Sequence, residues 1–117
     1  MPEQIVLPRD ESGGRCVQLY IRTLPVFVFE ERLDHGGILE KTLREFDVQF
    51  DWNKIHGVQL PAPRGQEYDA VGMGMFRLFD RVITVEGSSM YYGLRPNQKH
   101  AAEIQVLIPD VRIVLKK

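Results

Sequence analysis

DAVGMGMFRLF, residues 69–79, is an apolar run broken by two glycines, and its conformation sets the class of fold that the chain can adopt. Read as a helix, the run puts Val71, Met75 and Leu78 on one stripe with a period near 3.6 residues. A strand would instead place apolar side chains on both faces of a sheet. The length and the periodicity favour a helix over residues 70–86.

The ends of this segment carry signals for a helix, whereas its interior carries signals against one. Asp69 is a suitable N-cap, and Gly87 stands where a left-handed residue would end the last turn. Against the helix, Gly72 and Gly74 each cost about 1 kcal/mol relative to alanine, and residues 82–85 favour a strand. The sequence therefore predicts a helix, leaves the strand open, and predicts that a neighbouring surface lies close to both glycines.

Length and composition indicate one domain. The 117 residues fit a single domain, with residues 1–14 as a candidate for a loose N-terminal arm. The net charge of -1 and the pI near 6.3 provide no general basic field for nucleic acid or an anionic membrane. The apolar runs are shorter than the roughly 20 residues that span a bilayer, and the start lacks the pattern of a signal peptide. We therefore expect a cytoplasmic protein without a nucleic-acid partner or membrane insertion.

The remaining elements alternate between strand and helix. Asp34 can cap a short amphipathic helix, and Pro96 suits the start of a later one. The predicted strands are residues 16–21, 26–29, 48–52, 55–60, 89–94 and 111–115, with a further short strand at 5–7, and the predicted helices are 36–46, 70–86 and 98–107. This order predicts an α/β fold, a single-layer mixed and largely parallel sheet with about three helices, with parallel crossovers in at least its second half.

Two motifs resemble one known family. Residues 69–74, Asp-Ala-Val-Gly-Met-Gly, resemble the Asp-Ser-Ser/Thr-Gly-Leu-Gly signature at the start of the second helix of STAS domains, the sulfate transporter and anti-sigma factor antagonist family. Residues 90–96, Met-Tyr-Tyr-Gly-Leu-Arg-Pro, are similar to the strand and Gly-Ile/Leu-Arg-Pro turn before the third helix, and the spacing also fits. The resemblance covers residues 69–109 and is only topological over 16–60. It implies a STAS-like fold and a non-catalytic, regulatory protein-interaction module.

One departure from the family pattern affects the expected regulation. Switchable members carry a phosphoacceptor serine or threonine directly after the aspartate, where this chain has Ala70 and Val71. A module of this kind would therefore not be switched by phosphorylation at that site. With the loop 61–68, the surface expected to dock on a partner protein or a second copy consists of Asp69, Ala70, Val71, Gly72, Met73 and Met75.

Two other classes of function stay open as alternatives. The first is a small-ligand or nucleotide sensor, in which the helix start at Arg95, Pro96 and Asn97 holds an anion with Lys99 nearby. The second is an enzyme of unassigned reaction, which would need a nucleophile, a base and oxyanion donors that these residues do not assemble. The sequence therefore predicts no enzyme and no catalytic residues.

The residues that most often bind metals are scattered. His35, His56 and His100 lie far apart in the sequence, and none has a second strong ligand at helical spacing. The single Cys16 excludes an internal disulfide and is expected in the core. We accordingly expect neither a metal site nor a cofactor.

Overall fold

The computed structural model describes residues 2–116. Ten elements follow one another along the chain. The strands are β1 (Ile5–Val6), β2 (Gly13–Ile21), β3 (Leu24–Glu30), β4 (Trp52–Ile55), β5 (Val58–Pro61), β6 (Tyr68–Phe79), β7 (Val82–Glu86) and β8 (Arg112–Leu115), and the helices are α1 (His35–Glu45) and α2 (Gln98–Leu107). Six strands form one sheet in the order β1-β3-β2-β6-β7-β8, and β4 pairs with β5 in a separate hairpin.

The sheet is mixed, and its centre is antiparallel. Strand β2 pairs antiparallel with both β3 and β6, and β6 pairs antiparallel with β7. Only the two outer pairs, β1 with β3 and β7 with β8, are parallel, and α2 makes the crossover between β7 and β8. The prediction of a largely parallel, STAS-like sheet with about three helices is therefore wrong, because two helices are present in the described residues and the central pairs are antiparallel.

The main error lies in the segment that the sequence assigned to a helix. Residues 70–86 form β6 and β7, joined by the two-residue loop Asp80 and Arg81, both with positive φ (49° and 63°). Because such a loop usually contains glycine or asparagine, its Asp-Arg sequence gave no hairpin signal. Up to Gly74, strand β6 is also covered on both faces, and only from Met75 on do exposed residues alternate with buried ones such as Phe76. A strand covered on both faces lacks the alternation that separates it from a helix.

The other assignments agree with the structure in most places. The strands predicted at 26–29 and 111–115 and the helices predicted at 36–46 and 98–107 are confirmed within two residues at each end, and the strand predicted at 16–21 is confirmed but begins three residues earlier, at Gly13. The strand predicted at 89–94 is wrong, because Gly93 N donates to Ser89 O and Ser89 N donates to Leu94 O, which closes a turn there. The strands predicted at 48–52 and 55–60 are displaced, because the two strands of the hairpin are Trp52–Ile55 and Val58–Pro61. Residues 5–6 form β1, so the described part of residues 1–14 is not a loose arm throughout.

The two helices cover opposite faces of the sheet. Helix α1 packs through Ile38, Leu39 and Leu43 on one face, and α2 packs through Ala101 and Ile104 on the other. Strand β2 lies between them, and its residues 16–19 have no exposed surface. Burial of a large aliphatic or aromatic side chain contributes roughly 1.5–3 kcal/mol, so both layers are needed to stabilise the sheet. Among residues 2–116 no helix is both long and apolar enough to cross a membrane.

Candidate functional site

The predicted partner-binding residues do not form one surface. Ala70, Gly72 and Met73 are buried, and Met73 belongs to the core under α1. Asp69 lies beside Arg64, with its Oδ1 3.0 Å from the guanidinium Nε. Val71 is half-buried and has no cross-strand partner, because Gln18 pairs with Gly72 and Leu19 pairs with Ala70. Of the five apolar residues among these six, only Met75 is exposed, at 41%, and the Asp69 side chain is 45% exposed beside Arg64.

The close approach predicted at the glycines exists, and it comes from this chain itself. A Cβ atom on Gly72 would lie 2.3 Å from Gln18 Oε1 and 2.9 Å from Asn97 N. A Cβ atom on Gly74 would lie 2.7 Å from Glu86 O and 2.9 Å from Pro96 Cγ. The two glycines therefore make room for the segment that enters α2, rather than for a partner.

The predicted anion site at the start of α2 is occupied by groups of the protein. Asn97 is the N-cap, and its Oδ1 accepts a hydrogen bond of 2.9 Å from His100 N. Asn97 N donates to Gln18 Oε1 at 2.8 Å. Arg95 and Lys99 are exposed beside this start. Because side chains of the protein already accept from these two N–H groups, fewer donors remain there for an anion.

A buried polar network behind this cap was not anticipated from the sequence. His100 has no exposed surface, its Nε2 lies 3.0 Å from Leu19 O, and its Nδ1 lies 3.2 Å from Gln18 Nε2. A carbonyl only accepts, so Nε2 carries the proton and Nδ1 accepts from the Gln18 amide. Burial lowers the pKa of His100 below its ordinary value of 6.5, against hydrogen bonds and the Glu103 carboxylate, which raise it. The network ties α2 to β2 and serves the fold.

An apolar cavity lies beside β6 at Met75. It has a volume of about 310 Å³ and opens between the start of α1, the β4–β5 hairpin and the loop 88–92. Its apolar walls include Val58, Leu60 and Met75, and the mouth carries Met90 at 84% and Tyr91 at 46% exposure. We call it the His35 cavity. The remaining lining residues are Arg15, Asp34, His35, Gly36, Ser88, Ser89 and Tyr92.

The start of α1 is placed against the cavity by its cap and by one glycine. Asp34 Oδ1 accepts a 2.7 Å hydrogen bond from Gly37 N, which confirms Asp34 as the N-cap. A Cβ atom on Gly36 would lie 2.7 Å from Leu60 Cδ2. Since no side chain intervenes, the β4–β5 hairpin packs directly on the first turn of α1. This contact gives the cavity its floor.

Two polar side chains of the cavity wall donate hydrogen bonds to the protein's own backbone. His35 Nε2 donates to Gly74 O at 2.9 Å, and Tyr92 Oη donates to Pro61 O at 2.8 Å. Burial lowers the pKa of His35 below its ordinary value of 6.5, and the Arg15 guanidinium acts in the same direction. The Gly74 hydrogen bond and the Asp34 carboxylate oppose that shift. His35 is therefore neutral near pH 7 and stabilises the wall.

The histidines are separated in space as well as in sequence. His35 is the first residue of α1, His100 lies within α2, and His56 lies at the turn between β4 and β5 with a φ of 49°. No cluster of three or more His, Cys, Asp or Glu side chains suited to a metal occurs among residues 2–116. Cys16 is fully buried, which confirms its predicted place in the core.

Comparisons with models of protein families and with curated proteins found no match to this chain. The resemblance to STAS domains therefore stays a prediction. Its first motif, residues 69–74, lies in β6 instead of at a helix start, and its second, residues 90–96, lies in a loop before α2.

Proposed function

We propose that this chain is a non-catalytic, cytoplasmic protein-interaction module that holds an apolar side chain of a partner protein in the His35 cavity. The exposed apolar mouth of this cavity is the observation that carries the proposal. Met75 and Met90 are 41% and 84% exposed beside a concave, apolar wall. Flexible thioether side chains adapt to different partners, and binding energy concentrates where an apolar side chain fills such a cavity.

The hydrogen bonding of the cavity supports binding rather than catalysis. His35 Nε2 donates to a backbone carbonyl, Tyr92 Oη does the same, and Ser89 Oγ accepts from Tyr92 N at 3.2 Å. A catalytic base or nucleophile needs an atom that can reach the substrate. Ser89 and Tyr92 instead hold the loop 88–92 and the hairpin in place, and His35 ties the start of α1 to β6.

A regulatory role depends on the resemblance of residues 69–74 and 90–96 alone. If the module does regulate a partner, phosphorylation at the position of Ala70 is not the switch, because that residue has no hydroxyl and is 3% exposed. The extent of binding would then depend on the concentration of the partner.

A selection with random peptides tests the proposal. Peptides enriched on the folded chain should share one large apolar residue, and they should shift the amide signals of residues that line the His35 cavity in two-dimensional NMR spectra. Met90→Asp puts a charge at the mouth and should weaken these peptides at least about tenfold. Val106→Asp is the matched control, because Val106 is 79% exposed on α2, which packs on the opposite face of the sheet.

Two outcomes would contradict the proposal. One is that no peptide is enriched more strongly on this chain than on an unrelated protein. The other is that the selected peptides bind Met90→Asp as tightly as the parent while shifting signals far from the cavity.

A further inference from the structure

On the side of the sheet that α1 covers, no helix of residues 2–116 packs on β7, β8 or the end of β6. The α1 core reaches β3, β2 and the part of β6 up to Met73. Side chains alternate along a strand, so residues 75, 77 and 79 of β6 point to the same side as Met73. Their cross-strand partners on β7 share that side, and so do residues 112 and 114 of β8. We call this part of β6, β7 and β8 the open face.

The open face is wide enough for one helix. Three strands spaced about 4.8 Å apart offer a platform comparable to the roughly 10 Å diameter of a helix. Three apolar side chains lie on it. Phe79 is 68% exposed and pairs with Val82 on β7, and Val114 lies on β8, two residues after Arg112. A shallow depression of about 540 Å³ lies at the other end of this face, where Met75, Arg77, Thr84, Glu86 and Lys116 line it.

The charges on the open face are mainly positive, although the whole chain carries a net charge of -1. The cations are Arg77, Arg112 and Lys116, with Arg15 at the border beside Met75. None of these four forms an ion pair within residues 2–116 as described. The carboxylates near this face are Glu86, opposite Met75, Glu30, which lies 3.6 Å from Lys41 Nζ, and Glu11, which accepts from Asp80 N at 2.9 Å next to Phe79.

We propose that the open face binds an acidic amphipathic helix of a partner protein, which would lie on β6, β7 and β8 as α1 lies on β2 and β3. The apolar stripe of that helix would cover Phe79, Val82 and Val114. Its carboxylates would meet Arg77 and Arg112, and rim charges of opposite sign favour rapid and specific association. The inference rests on the proposed function, because it names the partner of that interaction.

The position of Met75 connects the open face with the His35 cavity. Met75 lines the cavity and also stands in the β6 row of the open face. A helix on the open face that reaches Met75 can therefore insert one side chain into the cavity. One partner would use both sites.

Two other occupants fit the open face less well. A second copy would bring the same cluster of arginines against itself, and like charges in contact disfavour association. A single-stranded nucleic acid would need several aromatic side chains for base stacking, whereas Phe79 is the one aromatic residue on this face in the described chain. Glu86 would also repel its phosphates.

The direct test uses a helical peptide whose leucine stripe is flanked by glutamates. Its binding to the full chain is measured by fluorescence anisotropy, together with a peptide in which lysines replace the glutamates. The acidic peptide should bind at least about tenfold more tightly than the basic one, and its affinity should fall as salt rises. Equal affinity of the two peptides, or no binding of the acidic one, would overturn the inference.

Charge reversal on the open face provides the second arm. The double variant Arg77→Glu with Arg112→Glu should weaken the acidic peptide at least about tenfold, and Phe79→Ser should also weaken it. Lys99→Glu, an exposed reversal on α2, is the matched control and should leave the affinity unchanged. Unchanged affinity in the double variant would contradict the proposed site, even if the peptide binds.

The remaining outcomes separate this inference from the proposed function. If Met90→Asp weakens the cavity-binding peptides but the open-face variants leave the affinity of the acidic peptide unchanged, the inference fails and the proposed function stands. Tighter binding of a single-stranded oligonucleotide than of the acidic peptide would overturn the inference. So would a dimer that Phe79→Ser dissociates in sedimentation experiments.

Discussion

Gln18 and Asn97 are joined by a reciprocal pair of hydrogen bonds, although 79 positions separate them in the chain. Gln18 Nε2 donates to Asn97 O at 2.9 Å, and Asn97 N donates to Gln18 Oε1 at 2.8 Å. The pair fixes the start of α2 on the central strand directly over Gly72. A buried amide in this position acts like a cross-strand bond between a helix cap and a sheet.

Gln18→Leu should reduce the free energy of unfolding by about 2–4 kcal/mol, because it leaves the backbone groups of Asn97 and the Nδ1 atom of His100 without their partner. Urea denaturation measures the loss. Gln66→Leu, at an exposed loop position, is the control and should change stability by less than about 0.5 kcal/mol. Similar small losses in both variants would show that the amide pair contributes little.

Gly72→Ala should destabilise the fold by about 1–3 kcal/mol, because the new Cβ would meet Gln18 Oε1 at 2.3 Å and Asn97 N at 2.9 Å. The comparison is Gly13→Ala, where the nearest atom, Phe76 O, lies at 3.1 Å. We expect its loss to be less than half as large in thermal or urea denaturation. A Gly72→Ala variant as stable as the parent would argue against close packing of α2 on β6.

The two buried histidines predict that the protein loses stability in mild acid. Burial lowers the pKa of both His35 and His100 in the folded state, so the unfolded state takes up more protons below the ordinary pKa of 6.5. The free energy of unfolding should therefore be fully retained above that pH and should fall as the pH drops from it toward the folded-state pKa values. Urea titrations across this window measure the slope, and His100→Gln should make it shallower. A stability that is constant or rises as the pH falls would contradict this assignment.

Cys16 should react with thiol reagents only when the protein opens. It has no exposed surface, and burial raises the pKa of its thiol to about 12, partly offset by a hydrogen bond from the Gly74 backbone. The thiolate is the reactive form, so folded protein should be modified far more slowly than protein unfolded in urea at the same pH. Rapid labelling of the folded chain at pH 8 would show that the centre of the sheet opens frequently.

The sequence was informative wherever one local signal had no competitor. The cap at Asp34, with an amphipathic stripe behind it, predicted α1, and Pro96 with Asn97 predicted α2. The sequence could not identify β6 because its apolar side chains lie on both sides of the sheet, in two cores and, at Met75 and Phe79, on the surface, so they can also be aligned as a helical stripe. The prediction for Gly72 and Gly74 was right despite the wrong element, because close approach of another segment to the backbone requires glycine in a helix and in a strand alike.

The candidate site was harder to predict than the fold, since it is built from segments distant in the sequence. Met75 was singled out for its adaptable side chain, but its neighbours in the cavity come from α1, β5 and the loop 88–92. Gln18 and His100 carried no recognisable motif, because a buried amide contact depends on the pairing of distant elements. A single sequence specifies such contacts only after the strand order is known.

The turn between β6 and β7 offers a test whose sign separates the hairpin from the helix that the sequence favoured. Arg81 has a φ of 63°, a conformation that glycine adopts without strain. In the hairpin, Arg81→Gly should therefore raise the free energy of unfolding by about 0.5–1 kcal/mol. In a helix over residues 70–86, the same change would lower it by about 1 kcal/mol.

Arg77→Gly, inside β6, is the matched control and should destabilise the protein in both cases, because glycine weakens strand and helix interiors alike. Urea denaturation of the two variants and the parent decides between them, and a destabilised Arg81→Gly would contradict the hairpin on which the open face and the position of Met75 depend.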